Sequence, residues 1–361
     1  MVKIGLLMTL YNEEANIERC LDTISPYLDY FCIGVDEKTT DNTKQKVLDY
    51  FEGNTRGKVF DSPWAGFADA RNQCLDQADS SACDFYIYLD ADHTLEVIDA
   101  EWTSKLSTEM DAYMLSVVGG GMTHWLPWLI NSKTPYHWRS IVHEFIGYTG
   151  DGQEQTGGVL DTISITHHYD GGGRAKGAEL YVKDRDTLLQ AFNEEKDPFL
   201  LQRYTFYLAQ SCKDAGRAYW PDAIRYYKMR TAMGGWDEEI YESWLAIWEM
   251  TKDTDYLFKA IETVKQRPDA YFKLLVHGKS LGNWKLLRKG LGLYEEVEEW
   301  NTIGLFMHPQ HNWMVDDSAA MAYYELEDMD KALTITKALL ERDDVPEGEK
   351  ARLRNNLPWF D

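Results

Sequence analysis

Apolar residues arrive in short runs over the first ninety positions, separated by stretches with helical spacing. Residues 3–10 form one such run, which ends at Tyr11-Asn12-Glu13-Glu14. Ile17, Cys20, Leu21 and Ile24 then recur one helical turn apart. A second run, Tyr30 to Val35, stops at Asp36, and Thr39-Thr40-Asp41-Asn42-Thr43 follows as a polar helix start. Val47, Tyr50 and Phe51 supply the inner face of that helix. Gly57 to Phe60 reads as a third strand, and Phe67, Ala70, Arg71, Cys74 and Leu75 as a third helix. The aromatic run Cys83 to Leu89 reads as a buried strand ending at Asp90-Ala91-Asp92. Strands alternating with helices predict a mostly parallel sheet covered on both faces.

The pattern then changes. Ala112 to Val118 predicts a strand closed by Gly119-Gly120-Gly121, whereas 125–138 is aromatic without a clear period and reads as loop with short strands. Ile163, Ile165 and His167 alternate with polar neighbours, and Gly171-Gly172-Gly173 predicts a mobile loop. Beyond Ala178 the spacing is helical nearly throughout. Pairs around Arg203 and Tyr226, Trp244 and Ala260, Tyr271 and Tyr294, and Ala322 and Ala332 recur loosely at the tetratricopeptide period, with an irregular helical bundle as the alternative. The expected division is therefore an α/β domain over 1–177 and an all-α, TPR-like domain over 178–361.

Charge narrows the partners. With 37 basic and 60 acidic side chains among 361 residues, the net charge is −23. That balance disfavours DNA and equally an anionic membrane surface. The five cysteines, Cys20, Cys32, Cys74, Cys83 and Cys212, are scattered and never form a C-x-x-C pair, which fits thiols in a reducing cytoplasm. No stretch is long and apolar enough to predict a membrane span or a leader.

Two carboxylates one residue apart at the carboxyl end of a strand make a hard oxygen site, suited to Mg²⁺ or Mn²⁺ holding a diphosphate. The same residues also serve turns and helix caps. Tyr11 can stack on a nucleobase, and Glu13 and Asp36 can accept from base or ribose donors, Asp36 being equally a turn residue. Arg71 can reach a phosphate or a pocket carboxylate through its planar fork, or lie on a helix surface.

Together, Thr9-Leu10-Tyr11-Asn12-Glu13-Glu14, Cys20-Leu21, Asp36 with Asp41 and Thr43, Phe67 with Ala70-Arg71-Asn72, and Asp90-Ala91-Asp92 resemble a family-2 glycosyltransferase of the GT-A, Rossmann-like nucleotide-sugar fold. His143-Glu144, His167 and the segment from Arg203 to Ser211 resemble members with a tetratricopeptide tail. The resemblance implies donor binding by Thr9, Leu10, Tyr11, Glu13, Asp36, Arg71, Asp90 and Ala91. Asp92 is then a direct ligand of Mn²⁺ or Mg²⁺, and His167 a further ligand with His168 as its rival. Where many relatives place an acidic residue after the Asp pair, this chain has His93, which leaves the role of that position open. Arg174 and Lys176 would close over the diphosphate, or form an exposed basic loop. Glu144 would be the catalytic base, with a salt-bridged structural glutamate as the alternative.

The activity implied is metal-dependent, inverting transfer from a nucleotide-sugar, a UDP-sugar favoured, to an unknown acceptor: glycan, peptide or small molecule. The alternative is a degenerate transferase domain acting as a peptide-binding TPR scaffold. The helical region is a candidate surface for self-association. A nucleotidyltransferase is disfavoured because Tyr11-Asn12-Glu13-Glu14 is acidic, where that chemistry wants a glycine-rich basic loop.

Overall fold

A computed structural model of the chain describes residues 2–150, 155–171, 178–301 and 304–360. Arg174, Lys176 and the glycines at 172 and 173 lie outside the described residues. The chain divides into two compact units, Met1–Tyr207 and Leu208–Asp361.

The first unit is built on an eight-stranded sheet. Its first four strands in sequence are β1 (Ile4–Leu10), β2 (Leu28–Asp36), β3 (Gly57–Ser62) and β4 (Phe85–Tyr88). They lie in the order β3-β2-β1-β4 and are all parallel. Helices α1 (Ile17–Ile24), α2 (Thr43–Tyr50) and α3 (Phe67–Gln77) connect them. Strand parity explains why these runs carry no polar alternation. Leu6, Met8, Leu10, Ile33, Val35, Phe85 and Ile87 pack on one face with the four inward residues of α1. Leu7, Cys32, Tyr86 and Tyr88 pack on the other with Cys74 of α3. Ile17, Cys20, Leu21 and Ile24 are all fully buried, as their spacing predicts.

The remaining strands make the sheet mixed. β5 (His93–Val97), β6 (Ala112–Gly119), β7 (Met122–Asn131) and β10 (Gly157–His167) extend it in the order β4-β7-β6-β10-β5, while β8 (Tyr136–Arg139) pairs with β9 (Phe145–Tyr148) apart from it. The expectation of loop with short strands over 125–138 is corrected here. β7 is ten residues long and lies between β4 and β6, antiparallel to both. Residues 122–128 of it are half-buried on both sides, so the strand shows no period-two signature.

The all-helical region begins at α4 (Ala178–Glu194), and the two compact units divide inside α5 (Pro198–Asp214). The reason is local. Arg203 donates to the His143 carbonyl at 2.7 Å, Tyr207 stacks on the His143 ring at 3.9 Å, and Arg139 pairs with Asp197. These contacts fasten the first helices to the β8–β9 hairpin.

The second unit contains α6 (Trp220–Ala232), α7 (Asp237–Thr251), α8 (Asp255–Thr263), α9 (Pro268–Ser280), α10 (Trp284–Tyr294), α11 (His311–Glu325), α12 (Met329–Leu340) and α13 (Glu347–Asn356). Helix α7 packs on α8, α9 on α10 and α11 on α12, so three of the anticipated pairs are helix pairs. At its centre the fully buried Arg267 guanidinium binds Glu238, Glu242 at 2.8 Å, Asp269 at 2.9 Å and the Leu305 carbonyl at 3.0 Å. It also lies 4.6 Å from the Tyr241 ring centroid. Arg267→Leu strands three low-exposure carboxylates and is expected to remove about 3–5 kcal/mol of stability. Thermal or denaturant unfolding of the full chain measures it.

All five cysteines are buried and none forms a disulfide. Among the described residues, no helix is long and apolar enough to cross a membrane.

Candidate active site

The carboxyl ends of β1, β2 and β4 lie on one edge of the sheet, and their loops are stitched together. The Asp41 carboxylate, leading into α2, accepts from the Thr43 and Glu14 amides at 3.0 and 3.1 Å. Thr43 Oγ1 accepts from the Glu13 amide at 2.7 Å, and Asn12 Oδ1 accepts from the Thr40 amide at 2.8 Å. Asn12 sits at φ 52°, a left-handed conformation asparagine tolerates, and so turns the chain out of β1. This leaves Tyr11 at 40% exposure beside the nearly buried Asp36. One Asp36 oxygen accepts from the Lys38 amide at 2.8 Å, so Asp36 does close its own turn. Leu10 and Ala91 pack their side chains into the core, which leaves their main chain to serve a pocket, while Thr9 is half-buried at the end of β1.

Parity also aims Asp90. Phe85, Ile87 and Leu89 face one side and Tyr86 and Tyr88 the other, so Asp90 turns toward α3. There Arg71 Nη2 meets both Asp90 oxygens at 3.0 and 3.1 Å, while Nη1 lies 3.7 Å from Glu144 Oε2. The guanidinium is 4.5 Å from the Trp138 ring centroid and 6.0 Å from that of Trp128. Arg71 thus lies inside the site, only 11% of its side chain exposed, and not on a helix surface. Asn72 beside it is buried. Its amide donates to the Trp138 carbonyl at 2.9 Å and accepts from the Trp138 amide at 2.7 Å, which ties α3 to β8.

Charge states follow from this packing. Burial alone would raise the Asp90 pKa, but the Arg71 guanidinium outweighs it and brings it to about 2. Glu144 goes the other way: burial raises its pKa, and Arg71 offsets this only in part. Arg71 favours the ionised form of both carboxylates, and it prevails over burial at Asp90 but not at Glu144, so the two shift in opposite directions.

Glu144 stands on a strained loop. Ser140 (φ 83°) and His143 (φ 54°) both take left-handed conformations that side chains disfavour. Arg203 and Tyr207 of α5 hold the His143 carbonyl and ring from the far side. Sequence reasoning placed these two residues in the repeat pattern and did not connect them with Glu144.

Antiparallel pairing of β5 with β10 sets His93 directly opposite His167. His167 Nε2 lies 3.1 Å from Asp92 Oδ2, and its ring is held between Tyr169, stacked at 3.8 Å, and His93 at 4.7 Å. His168 turns away, with its amide donating to the Asp92 carbonyl and Nε2 2.9 Å from Thr94 Oγ1. Of the two histidines, the fold thus brings His167 to the Asp pair.

Gly171 backs onto this corner. A Cβ there would sit 3.0 Å from Asp92 Oδ2 and 3.2 Å from Glu13 Oε1. The adjoining Asp170 is fixed by Arg19 at 2.7 and 2.8 Å, and its carbonyl accepts from Asn16.

Asp92, His93 and His167 offer ligand atoms within 4.8 Å of one another. Donors bonded at about 2.1 Å to one ion sit about 3 Å apart when adjacent, so the 3.1 Å between Asp92 and His167 fits a shared cation. His93 fits less well. Burial pushes its pKa down to about 4, and its Nδ1 accepts from the Asp90 amide at 3.1 Å. The neutral ring therefore carries its proton on Nε2. A carboxylate with imidazole suits Mn²⁺ better than Mg²⁺, which prefers oxygen donors throughout.

Among curated proteins, none matches the chain. A solved structure of GalNAc-T7 with UDP, GalNAc and Mn²⁺ matches at 14% identity and a TM-score of 0.33, over 51% of this chain and 47% of that one. This chain thus spans about half the length of that protein's chain. The sequence model for glycosyl transferase family 2 matches residues 6–158, a span that holds Asp36, Arg71, Asp90, Asp92 and Glu144 and stops short of His167. Residues 6–158, less than half of the chain, thus match glycosyl transferase family 2, and the amino-terminal unit is a mixed α/β, GT-A-like domain.

Proposed function

We propose that the domain transfers a sugar from a nucleotide-sugar, a UDP-sugar favoured, to an acceptor with inversion at the anomeric carbon, and that it requires Mn²⁺ or Mg²⁺. The observation that carries this reading is the 3.1 Å approach of His167 Nε2 to Asp92 Oδ2, beside the Arg71–Asp90–Glu144 cluster. When bound, such an ion offsets the negative charge of the departing nucleoside diphosphate.

The chain's own residues do the rest. Tyr11, Glu13 and Asp36 line the nucleotide end, with the main chain of Thr9, Leu10 and Ala91 beneath. Asp90, kept ionised by Arg71, accepts from a ribose hydroxyl. Glu144 takes the proton of the acceptor hydroxyl as its oxygen attacks the anomeric carbon. Arg174 remains a proposed contact to the diphosphate. The helical unit is proposed to position the acceptor or a second copy, since the donor-binding residues all precede it. Five buried thiols without a disulfide fit a cytoplasmic setting.

A screen of UDP-, GDP- and CMP-sugars with Mn²⁺, read as released nucleotide, tests the reading. Hydrolysis of one nucleotide class above the others supports it, and no hydrolysis or binding of any donor contradicts it.

Asn72 gives a milder prediction. Asn72→Ala unties Trp138 from α3 and leaves a buried amide without its partner. About 1–3 kcal/mol of stability should be lost, with a smaller loss of transfer than at Glu144. Melting temperature and transfer rate on one preparation measure both.

A further inference from the structure

The acidity of this chain is not evenly spread. Between Asp269 and Glu295 there is no acidic residue, while Lys273, Lys279, Lys285, Arg288 and Lys289 fall in that interval. The interval folds as α9, a turn and α10. Residues 279–285 at the turn are all exposed, and they include Leu281 at 60% and Trp284 at 46%.

The tip is rigid. Gly278 and Gly290 sit where the helices meet, and a Cβ on either would come within 3.1–3.2 Å of leucine side chains across the pair. Gly282 turns the chain at φ 58°, and Asn283 Oδ1 caps α10 by accepting from the Leu286 amide at 3.1 Å. Leu287 and Leu291 face inward, while Trp284, Lys285, Arg288 and Lys289 face out.

Among the described residues, Lys285 and Arg288 have no carboxylate partner. Lys279 pairs with Glu325 at 3.4 Å and also faces Asp317, and Lys289 lies over the Phe258 ring. Lys273 is neutralised by Glu249.

We propose that the α9–α10 tip docks on an anionic lipid bilayer. Leu281 and Trp284 enter the headgroup layer, and Lys285 and Arg288 face the lipid phosphates. The pairing of a tryptophan and a leucine with adjoining cations is the chemistry of interfacial anchoring. A bilayer accepts a convex apolar tip, whereas an acidic protein would need a socket shaped to it. The net charge of −23 does not forbid the contact. Screening acts within about 8 Å at physiological salt, and Glu295 lies roughly 15 Å along the helix from Lys285. This inference is independent of the transfer chemistry.

Flotation of the full chain with vesicles tests it. Vesicles of phosphatidylcholine with phosphatidylglycerol should capture the protein at physiological salt, and phosphatidylcholine alone should not. Lys285→Glu with Arg288→Glu should lower partitioning by about tenfold or more, and Trp284→Ala should lower it as well. Melting temperatures should stay unchanged because all three sites are exposed. Three results would overturn the proposal: no capture by anionic vesicles at physiological salt, capture indifferent to both variants, or self-association of the wild type that the same variants abolish. The last would give the tip to a second copy of the chain.

Discussion

Asp92→Asn is expected to lower transfer on the order of 10³-fold, the equivalent of several kcal/mol of lost charge stabilisation in the transition state. The amide keeps the size of the side chain but removes the charge that faces His167 Nε2 at 3.1 Å. Burial would raise the Asp92 pKa, yet the neighbouring His167 and His93 imidazoles prevail and lower it, which favours the ionised carboxylate. A carboxylate pair at the end of β4 repels a diphosphate unless a cation stands between them. EDTA should therefore silence the wild type, and added Mn²⁺ should restore it without restoring the Asn variant. Transfer at the full rate in excess EDTA would end the metal-dependent reading.

Glu144→Gln is expected to lower transfer roughly 10²- to 10⁴-fold with donor affinity nearly unchanged, the range typical of a lost general base. The sign of its pKa shift separates this from a structural role. A carboxyl whose pKa is raised on folding contributes stability at low pH and loses it as pH rises through the folded value. At neutral pH the buried Glu144 charge is thus a burden on the fold, and the Gln variant should melt no lower than the wild type. The transfer rate of the wild type should fall with acid through a pKa above the usual 4.5, because the base must be ionised. The variant should lose that limb. A Gln variant that melts lower, with activity tracking the folded fraction, would instead make Glu144 a brace for Arg71.

The fold was legible where burial on both faces or one helical stripe left a mark. Strands β1, β2 and β4 and the inner face of α1 are such places, and the strand-end residues Asp36, Asp90 and Asp92 followed from them. Strand β7 was not legible, because its half-buried aromatic residues on both sides erase alternation. Site geometry that depends on pairing was hidden for a different reason. Nothing local says that His93 lies opposite His167, or that Asn72 grips the Trp138 main chain. The signal for His93 was its place directly after the Asp pair. The union of Arg203 and Tyr207 with the His143 loop joins positions 60 and more residues apart, and a helical pattern alone assigns both to the repeats.

Binding of Mn²⁺ read by electron paramagnetic resonance tests the central claim most directly, since it needs neither acceptor nor turnover. Titrating wild-type protein into Mn²⁺ with UDP present should quench the sharp signal of the free ion. Asp92→Asn and His167→Ala should leave most of that signal standing, while His168→Ala should behave as the wild type. Quenching that ignores Asp92 and His167, or that is lost with His168, would contradict the site described here.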